Sequence, residues 1–179
     1  MQKFHEMTIA GCTRKLPLCE VNEHLDIAAF VMFGDVEITE KAAAALLEKC
    51  PAHDCVVTAE AKGIPLGYEM ARQGCRHYFV ARKGTKLYMT IPLGVEVQSI
   101  TTDHLQHLYL SEEEVAQIRG KRVLIADDVI STGESLTAVE KLVEAAGGNI
   151  VGRAAVLAEG DAADRDDIIF LEKLPLFFK

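Results

Sequence analysis

Asp127 and Asp128 stand side by side directly after the apolar run Val123-Leu124-Ile125-Ala126, and Val129-Ile130-Ser131-Thr132-Gly133-Glu134-Ser135 follows them. Adjacent carboxylates at the end of a buried strand suit hydroxyl groups or a metal ion, and they repel a phosphate. The Ser131–Ser135 loop has the opposite preference. Its hydroxyls and free backbone N–H groups lie where a helix begins, and a helix N-terminus receives an anion. Gly133 lets the backbone approach an oxygen closely. A ligand with a phosphate at one end and a vicinal diol beside it satisfies both halves, as a ribose 5-phosphate does. The plainer reading is a solvated turn with a Ser or Thr cap. A cap needs one hydroxyl residue and no carboxylate pair.

Two further segments bring positive charge to strand ends. Glu60-Ala61-Lys62-Gly63-Ile64 follows an apolar run, with Lys62 to neutralise an anion and Gly63 to admit it. Arg82-Lys83-Gly84-Thr85-Lys86 follows another and sets three cations around a glycine in an acidic chain. Alone, the first segment reads better as a simple βα turn with a surface lysine, and the second equally well as a solvated turn. Glu159 ends a further apolar run, Ala154-Ala155-Val156-Leu157-Ala158.

The elements that must position these residues are legible as alternating strands and helices. Leu136, Val139, Leu142 and Val143 recur at helical spacing, and Gly147-Gly148 ends that helix as a left-handed cap would. Ile150 to Leu157 reads as the next strand. Upstream, the pattern predicts a helix from Thr39 to Lys49 and a buried strand over Cys55–Ala59. Pro65 falls early in the following helix, and a strand follows over His77–Ala81. Val95–Ile100 and Gln106–Leu110 could pair as a hairpin. This alternation predicts an α/β fold, with a mostly parallel open sheet and helices on both faces. Three short extended pieces (Thr8–Ala10, Leu16–Leu18, Ile27–Phe33) precede it. The single domain 1–179 is therefore divided into a small hood of about 1–35 over the ligand edge, a core of about 36–170 and a tail of 171–179. The acid-rich run Asp161 to Asp167 reads as a solvated loop.

Composition excludes several classes. The 179 residues suffice for one domain with a real core. No apolar run approaches the roughly 18 residues of a membrane helix, and Met1-Gln2-Lys3-Phe4-His5-Glu6 lacks the apolar core of a signal peptide. A net charge of −8 argues against nucleic acid as a partner. Cys12, Cys19, Cys50, Cys55 and Cys75 show no paired spacing for a metal, which suits reduced thiols in the cytoplasm.

With these residues in view, the chain resembles the type I phosphoribosyltransferases, closest to the adenine- and xanthine-type purine enzymes. The likeness rests first on the strand–Asp127-Asp128–Ser131-Thr132-Gly133 signature. Glu60-Ala61-Lys62-Gly63-Ile64 is similar to the Glu-Ala-Arg-Gly-Phe of the adenine type, with lysine for arginine. Arg82, Lys83 and Lys86 keep the spacing of its Arg-Lys-x-Gly-Lys, with the glycine shifted by one. Gly11–Pro17 and Phe30–Asp35 look like that family's hood. The resemblance implies transfer of a 5-phosphoribosyl group from phosphoribosyl pyrophosphate to a purine, adenine first, in purine salvage. Xanthine, guanine or hypoxanthine remain alternatives, as does a non-catalytic regulator that senses phosphoribosyl pyrophosphate.

Carried over by resemblance, Asp127 and Asp128 hold the ribose hydroxyls. Ser131, Thr132, Gly133, Glu134 and Ser135 take the 5-phosphate. Ala61, Lys62, Gly63, Arg82, Lys83 and Lys86 take the pyrophosphate. Glu134 departs from the small residue common there, and is expected to point away and offer only its N–H. Val31, Met32, Phe33 and Glu159 are the candidates for the base. Mg²⁺ is implied, bound through substrate oxygens with Asp127 or Asp128 as the protein ligand. Residues 87–94 correspond to a mobile closing loop, and a homodimer is implied. Leu93-Gly94-Val95-Glu96-Val97 lacks the tyrosines of the adenine enzymes beside Glu96. The proton acceptor for the base stays open among Glu96, Glu159 and the leaving group.

Overall fold

A computed structural model describes residues 3–98 and 105–179. The central sheet follows from short runs too apolar to face water on either side. Every residue of Cys55–Ala59 (β4) is buried, as parallel strands covered on both faces require. β4 lies between β5 (Tyr78–Ala81) and β8 (Arg122–Ile130). β9 (Asn149–Glu159) and β10 (Ile169–Leu174) complete the spatial order β10-β9-β8-β4-β5. All four pairings are parallel.

The alternation of side chains divides the core between two faces. Val56, Leu124 and Ala126 pack with Ile38 and Leu46 of α1 (Val36–Lys49) and with Leu66 and Met70 of α2 (Ile64–Gln73). Val57 and Ile125 pack on the other face with Val139 and Leu142 of α4 (Glu134–Ala145). The antiparallel hairpin of β6 (Leu93–Gln98) and β7 (Leu105–Leu110) covers that second face through Val97, Leu108 and Leu110. The expected α/β architecture, parallel with helices on both faces, is the one observed.

Strand order reverses between β4 and β8. From β4 the chain winds through α2 to β5, whereas from β8 it winds through α4 to β9 in the opposite direction. Such a switch opens a crevice at the carboxyl ends of the two strands. Both chemistry-bearing loops, after Ala59 and after Ile130, emerge there.

Several boundaries differ from the sequence reading. β8 runs through both acids to Ile130, because parallel pairing with the small residues of β9 continues as Asp127↔Ala155 and Val129↔Leu157. α1 begins at Val36 rather than Thr39, since the Asp35 side chain accepts from the Ile38 N–H and caps it. The predicted strand Ile27–Phe33 stops at Ala28. A helix not anticipated, α3 (Glu112–Ile118), starts at a capping box of Ser111 and Glu114. Of the predicted hairpin strand Val95–Ile100, Ser99 and Ile100 lie outside the described residues.

A second sheet of four strands joins β1 (Phe4–Ile9), β2 (Cys12–Asn22) and β3 (Leu25–Ala28) to β11 (Leu176–Phe178). Leu171–Leu174, placed with the tail by the sequence reading, instead complete the edge strand β10 of the main sheet. β11 meets the site end of the core at Gly160, where an added Cβ would lie 3.1 Å from Leu176.

Candidate active site

The carboxyl ends of β4 and β8 frame a cavity of about 350 Å³ lined by Glu60, Ala61, Lys62, Lys83, Asp127, Asp128 and Ser135. A smaller cleft of about 50 Å³ continues from Asp127 along Ser131, Thr132, Gly133, Glu134 and Ser135. Residues from three separate segments thus share one continuous depression.

Asp128 is only 2% exposed, and its Oδ2 lies 2.9 Å from Lys62 Nζ. A carboxylate so buried requires a counter-ion, and the β4–α2 loop supplies it. Asp127 Oδ1 accepts the Asp128 N–H at 2.9 Å. Burial, reinforced by the negative charge of Asp128, pushes the Asp127 carboxyl up to about 7. The pair is therefore poised to bind hydroxyl donors or a cation.

Close approach of the two loops depends on Gly63. A Cβ there would stand 2.3 Å from Thr58 Oγ1 and 2.8 Å from Asp127 Oδ1, closer than side chains tolerate. The peptide between Glu60 and Ala61 is cis. Gly133 adopts φ +82°, a left-handed conformation natural to glycine, and precedes α4 with no side-chain cap. The first N–H groups of α4 are left without a capping side chain. Glu134 opens α4 and is one of the residues along the small cleft.

The cationic segment after β5 is tied to the same loop. Glu60 accepts the Lys83 N–H at 3.0 Å and lies 3.4 Å from Arg82 Nη1. That N–H, with Lys86 and Arg82 nearby, holds the Glu60 carboxyl below its usual range. Lys83 and Lys86 are exposed, and Arg82 is half-buried. Glu159 ends β9 close enough to feel the charge of Lys62, while burial raises its carboxyl.

Other candidates lie apart. Val31 and Phe33 are exposed, whereas Met32 is packed in the core at 1% exposure. None of the three lines the carboxylate cavity; Met32 borders a separate cleft with Asp35, Tyr68 and Arg72. Residues 87–92 run irregularly into β6, with Leu87, Tyr88 and Ile91 exposed and Met89 buried. Gln106 and Leu108 of β7 also line the main cavity. Sequence reasoning missed both, because only the folding of the hairpin against β5 through the Arg82↔Tyr109 bridge carries them there. Among the described residues, no group of three or more His, Cys, Asp or Glu could hold a metal ion. The five cysteines are free.

The switch-point crevice of a parallel sheet thus joins paired acids, a loop of small residues at a helix N-terminus and two cationic loops. The family model of the phosphoribosyl transferase domain matches residues 33–174. This chain belongs to the phosphoribosyltransferase family. It is 36% identical over 112 residues to a hypoxanthine/guanine phosphoribosyltransferase of Methanothrix thermoacetophila, which covers 63% of this chain and 55% of that protein. The chain thus spans about half the length of that relative. It is 32% identical to an adenine phosphoribosyltransferase of Rhodococcus opacus over 126 residues, 70% of this chain and 69% of that one. The solved adenine phosphoribosyltransferase of Rhodothermus marinus superposes with a TM-score of 0.67 at 25% identity, covering 96% and 94% of the two chains.

Proposed function

We propose that the protein transfers the 5-phosphoribosyl group of phosphoribosyl pyrophosphate to a purine, releasing pyrophosphate and forming a nucleoside 5-monophosphate. The observation that carries this reading is the 2.9 Å pairing of Lys62 with the buried Asp128. It joins the carboxylate pair to the cationic loops around a single cavity. One ligand with a diol between two phosphate groups fits that arrangement.

In this reading the 5-phosphate rests on the amides and hydroxyls of Ser131, Thr132, Gly133, Glu134 and Ser135. Asp127 and Asp128 accept from the ribose hydroxyls and face the positive charge that develops on the sugar. A purine ring nitrogen forms its bond to C1 as the C1–oxygen bond to pyrophosphate breaks, with that electron pair leaving on the pyrophosphate. Lys62, Arg82, Lys83, Lys86 and the backbone of Ala61 and Gly63 steady the departing oxygens. The purine proton passes to Glu159, Glu96 or the leaving group. Water is excluded as residues 87–92 close over the reactants; Leu93 and Gly94, expected in the same loop, are instead held in β6 by pairing with Leu110 and Tyr109.

The donors present suit Mg²⁺, which takes few protein ligands and is held mainly by substrate phosphates. Asp127 and Asp128 open onto the cavity, and among the described residues no all-protein cage competes. When bound, the ion would neutralise oxygen charge on the diphosphate, and Asp127 or Asp128 would be the residue that holds it.

Adenine is the first-choice base, supported by the likeness to adenine enzymes along nearly the whole chain. Hypoxanthine or guanine is the second reading, because relatives of that type match as well. Of the four candidates for the base, Met32 is set aside because it is packed in the core, and Val31, Phe33 and Glu159, outside the carboxylate cavity, are the groups we assign to it. We also assign a homodimer, for which exposed Val36, Tyr68, Leu87 and Tyr88 offer apolar surface, and a cytoplasmic location suited to the free thiols. The test supplies phosphoribosyl pyrophosphate, Mg²⁺ and one base at a time from adenine, hypoxanthine, guanine, xanthine, uracil and orotate. Pyrophosphate release with adenine is expected. Activity with none of the six, with ligand binding intact, would turn the reading to a non-catalytic sensor.

A further inference from the structure

The phosphate loop has an electrostatic deficit. Between Ala126 and Leu136 the charged residues are Asp127, Asp128 and Glu134, and the segment contains no cation. Lys62 pairs with Asp128 and is assigned to the pyrophosphate. A phosphate monoester carries close to two negative charges at neutral pH, and the loop's own amides and hydroxyls bring no full positive charge to meet it.

Arg165 reaches this loop from a distant part of the chain. It follows the short 3-10 turn Gly160–Asp164 and is half-buried. Its Nε and Nη2 bind the Asp167 carboxylate edge-on at 2.9 and 2.7 Å. Asp167 is itself steadied by Arg153, 3.9 Å away, whose Nε also binds Glu140 on α4. The edge-on pairing turns Nη1 the other way, against the loop. A Cβ on Gly133 would lie 2.8 Å from Arg165 Nη1. Gly133 is thus needed for its backbone conformation and also for the room it leaves this guanidinium.

We propose that Arg165 is the cation of the 5-phosphate site, oriented by Asp167 so that its free edge faces a phosphate seated on Ser131–Ser135. The assignment rests on the ribose 5-phosphate reading of that loop. The sequence conceals it, because Asp161 to Asp167 reads as an acidic solvated run in which one arginine is outnumbered. A guanidinium also presents paired donors to phosphate oxygens, which an ammonium does not.

The experiment is titration calorimetry of the full chain with ribose 5-phosphate, and separately with Mg²⁺-pyrophosphate, for the wild type, Arg165→Gln, Arg165→Lys and Asp167→Asn. Arg165→Gln is expected to weaken ribose 5-phosphate about 10- to 100-fold, the range of one charge-assisted hydrogen bond, and to leave pyrophosphate within about twofold. Arg165→Lys should recover part of the loss, and Asp167→Asn should lose less than Arg165→Gln. Wild-type affinity should rise as the monoester loses its second proton near pH 6, and that rise should flatten in Arg165→Gln. Unchanged ribose 5-phosphate affinity, or equal losses for both ligands, would overturn the assignment. Arg165→Lys keeps the question open to measurement should the glutamine variant fail to fold. Ribose 5-phosphate binding that depends on Arg165 without any transferase turnover would sink the proposed function and leave this inference standing. A wild type that binds no ribose 5-phosphate overturns both.

Discussion

The two ends of strands β4 and β8 handle acidic residues in opposite ways. At the amino end, the Asp54 carboxylate accepts from Arg122 Nη2 at 2.7 Å, from Arg122 Nε at 3.2 Å and from the Arg122 backbone N–H at 2.8 Å. Those bonds hold the Asp54 carboxyl well below the usual range. At the carboxyl end, Asp127 and Asp128 are pressed together, share one lysine, and Asp127 is pushed up to about 7 by burial. The amino end has the larger cavity, about 440 Å³, lined by Asp54, Cys55, His77, Phe79 and Lys121. Size does not mark the chemistry. What does is an acid kept in a costly environment with backbone donors aimed beside it, since structural acids are paired where they stand.

Changes at the two ends should separate activity from stability, and the largest effect is expected at the acids. Asp127→Asn with Asp128→Asn should lower kcat/KM for phosphoribosyl pyrophosphate by about 1,000-fold or more, with the circular dichroism spectrum unchanged. Asp54→Asn should leave turnover within about twofold and lower Tm by no more than about 4 °C, as an exposed pair warrants. Turnover retained in the double variant, or lost in Asp54→Asn, would break the contrast. Next in size, Lys62→Ala should reduce kcat/KM by roughly 100-fold and lower Tm, because Asp128 is left buried without its counter-ion.

Gly63→Ala sharpens the same comparison through geometry. Its Cβ would press on Thr58 and Asp127, whereas a Cβ on Gly84 meets nothing within 4 Å. Gly63→Ala should cost about tenfold or more in kcat/KM and lower Tm; Gly84→Ala should leave the fold's Tm unchanged. The smallest effect concerns pH. An acid whose folded carboxyl is raised favours the fold while it is protonated, and that contribution is lost as pH climbs from about 4 through about 7. Unliganded wild type should therefore lose several degrees of Tm between pH 5 and 8 beyond the loss in Asp127→Asn, measured by scanning calorimetry. Parallel Tm profiles would show that Asp127 does not titrate in that window.

Much of the site was legible because its chemistry is local in the chain. Asp127, Asp128 and the Ser131–Ser135 loop are neighbours, and the helical spacing of Leu136, Val139 and Leu142 announces the helix that presents them. Lys62, Gly63 and the Arg82–Lys86 cluster could be named by residue type. Their meeting with the acids could not be read from spacing. The strand boundary at Asp127 was misplaced because hydropathy ends there while the pairing with β9 continues. Gln106, Leu108 and Arg165 stayed hidden among unremarkable neighbours, since each reaches the site only through packing of remote segments.

By itself, the sequence named the side chains to which we assign a diol, a phosphate and a leaving group. Those assignments depend on residue type and nearest neighbours. Only the tertiary structure decided that they act together. Parallel pairing of β4 with β8, in the register Val57↔Ile125, brings Lys62 to Asp128 and leaves Asp127 half-buried at the cavity wall. The turn after β9 lays Arg165 against Gly133. Burial and the approach of distant charges belong to the folded chain alone, and they convert a row of ordinary acids and cations into one site.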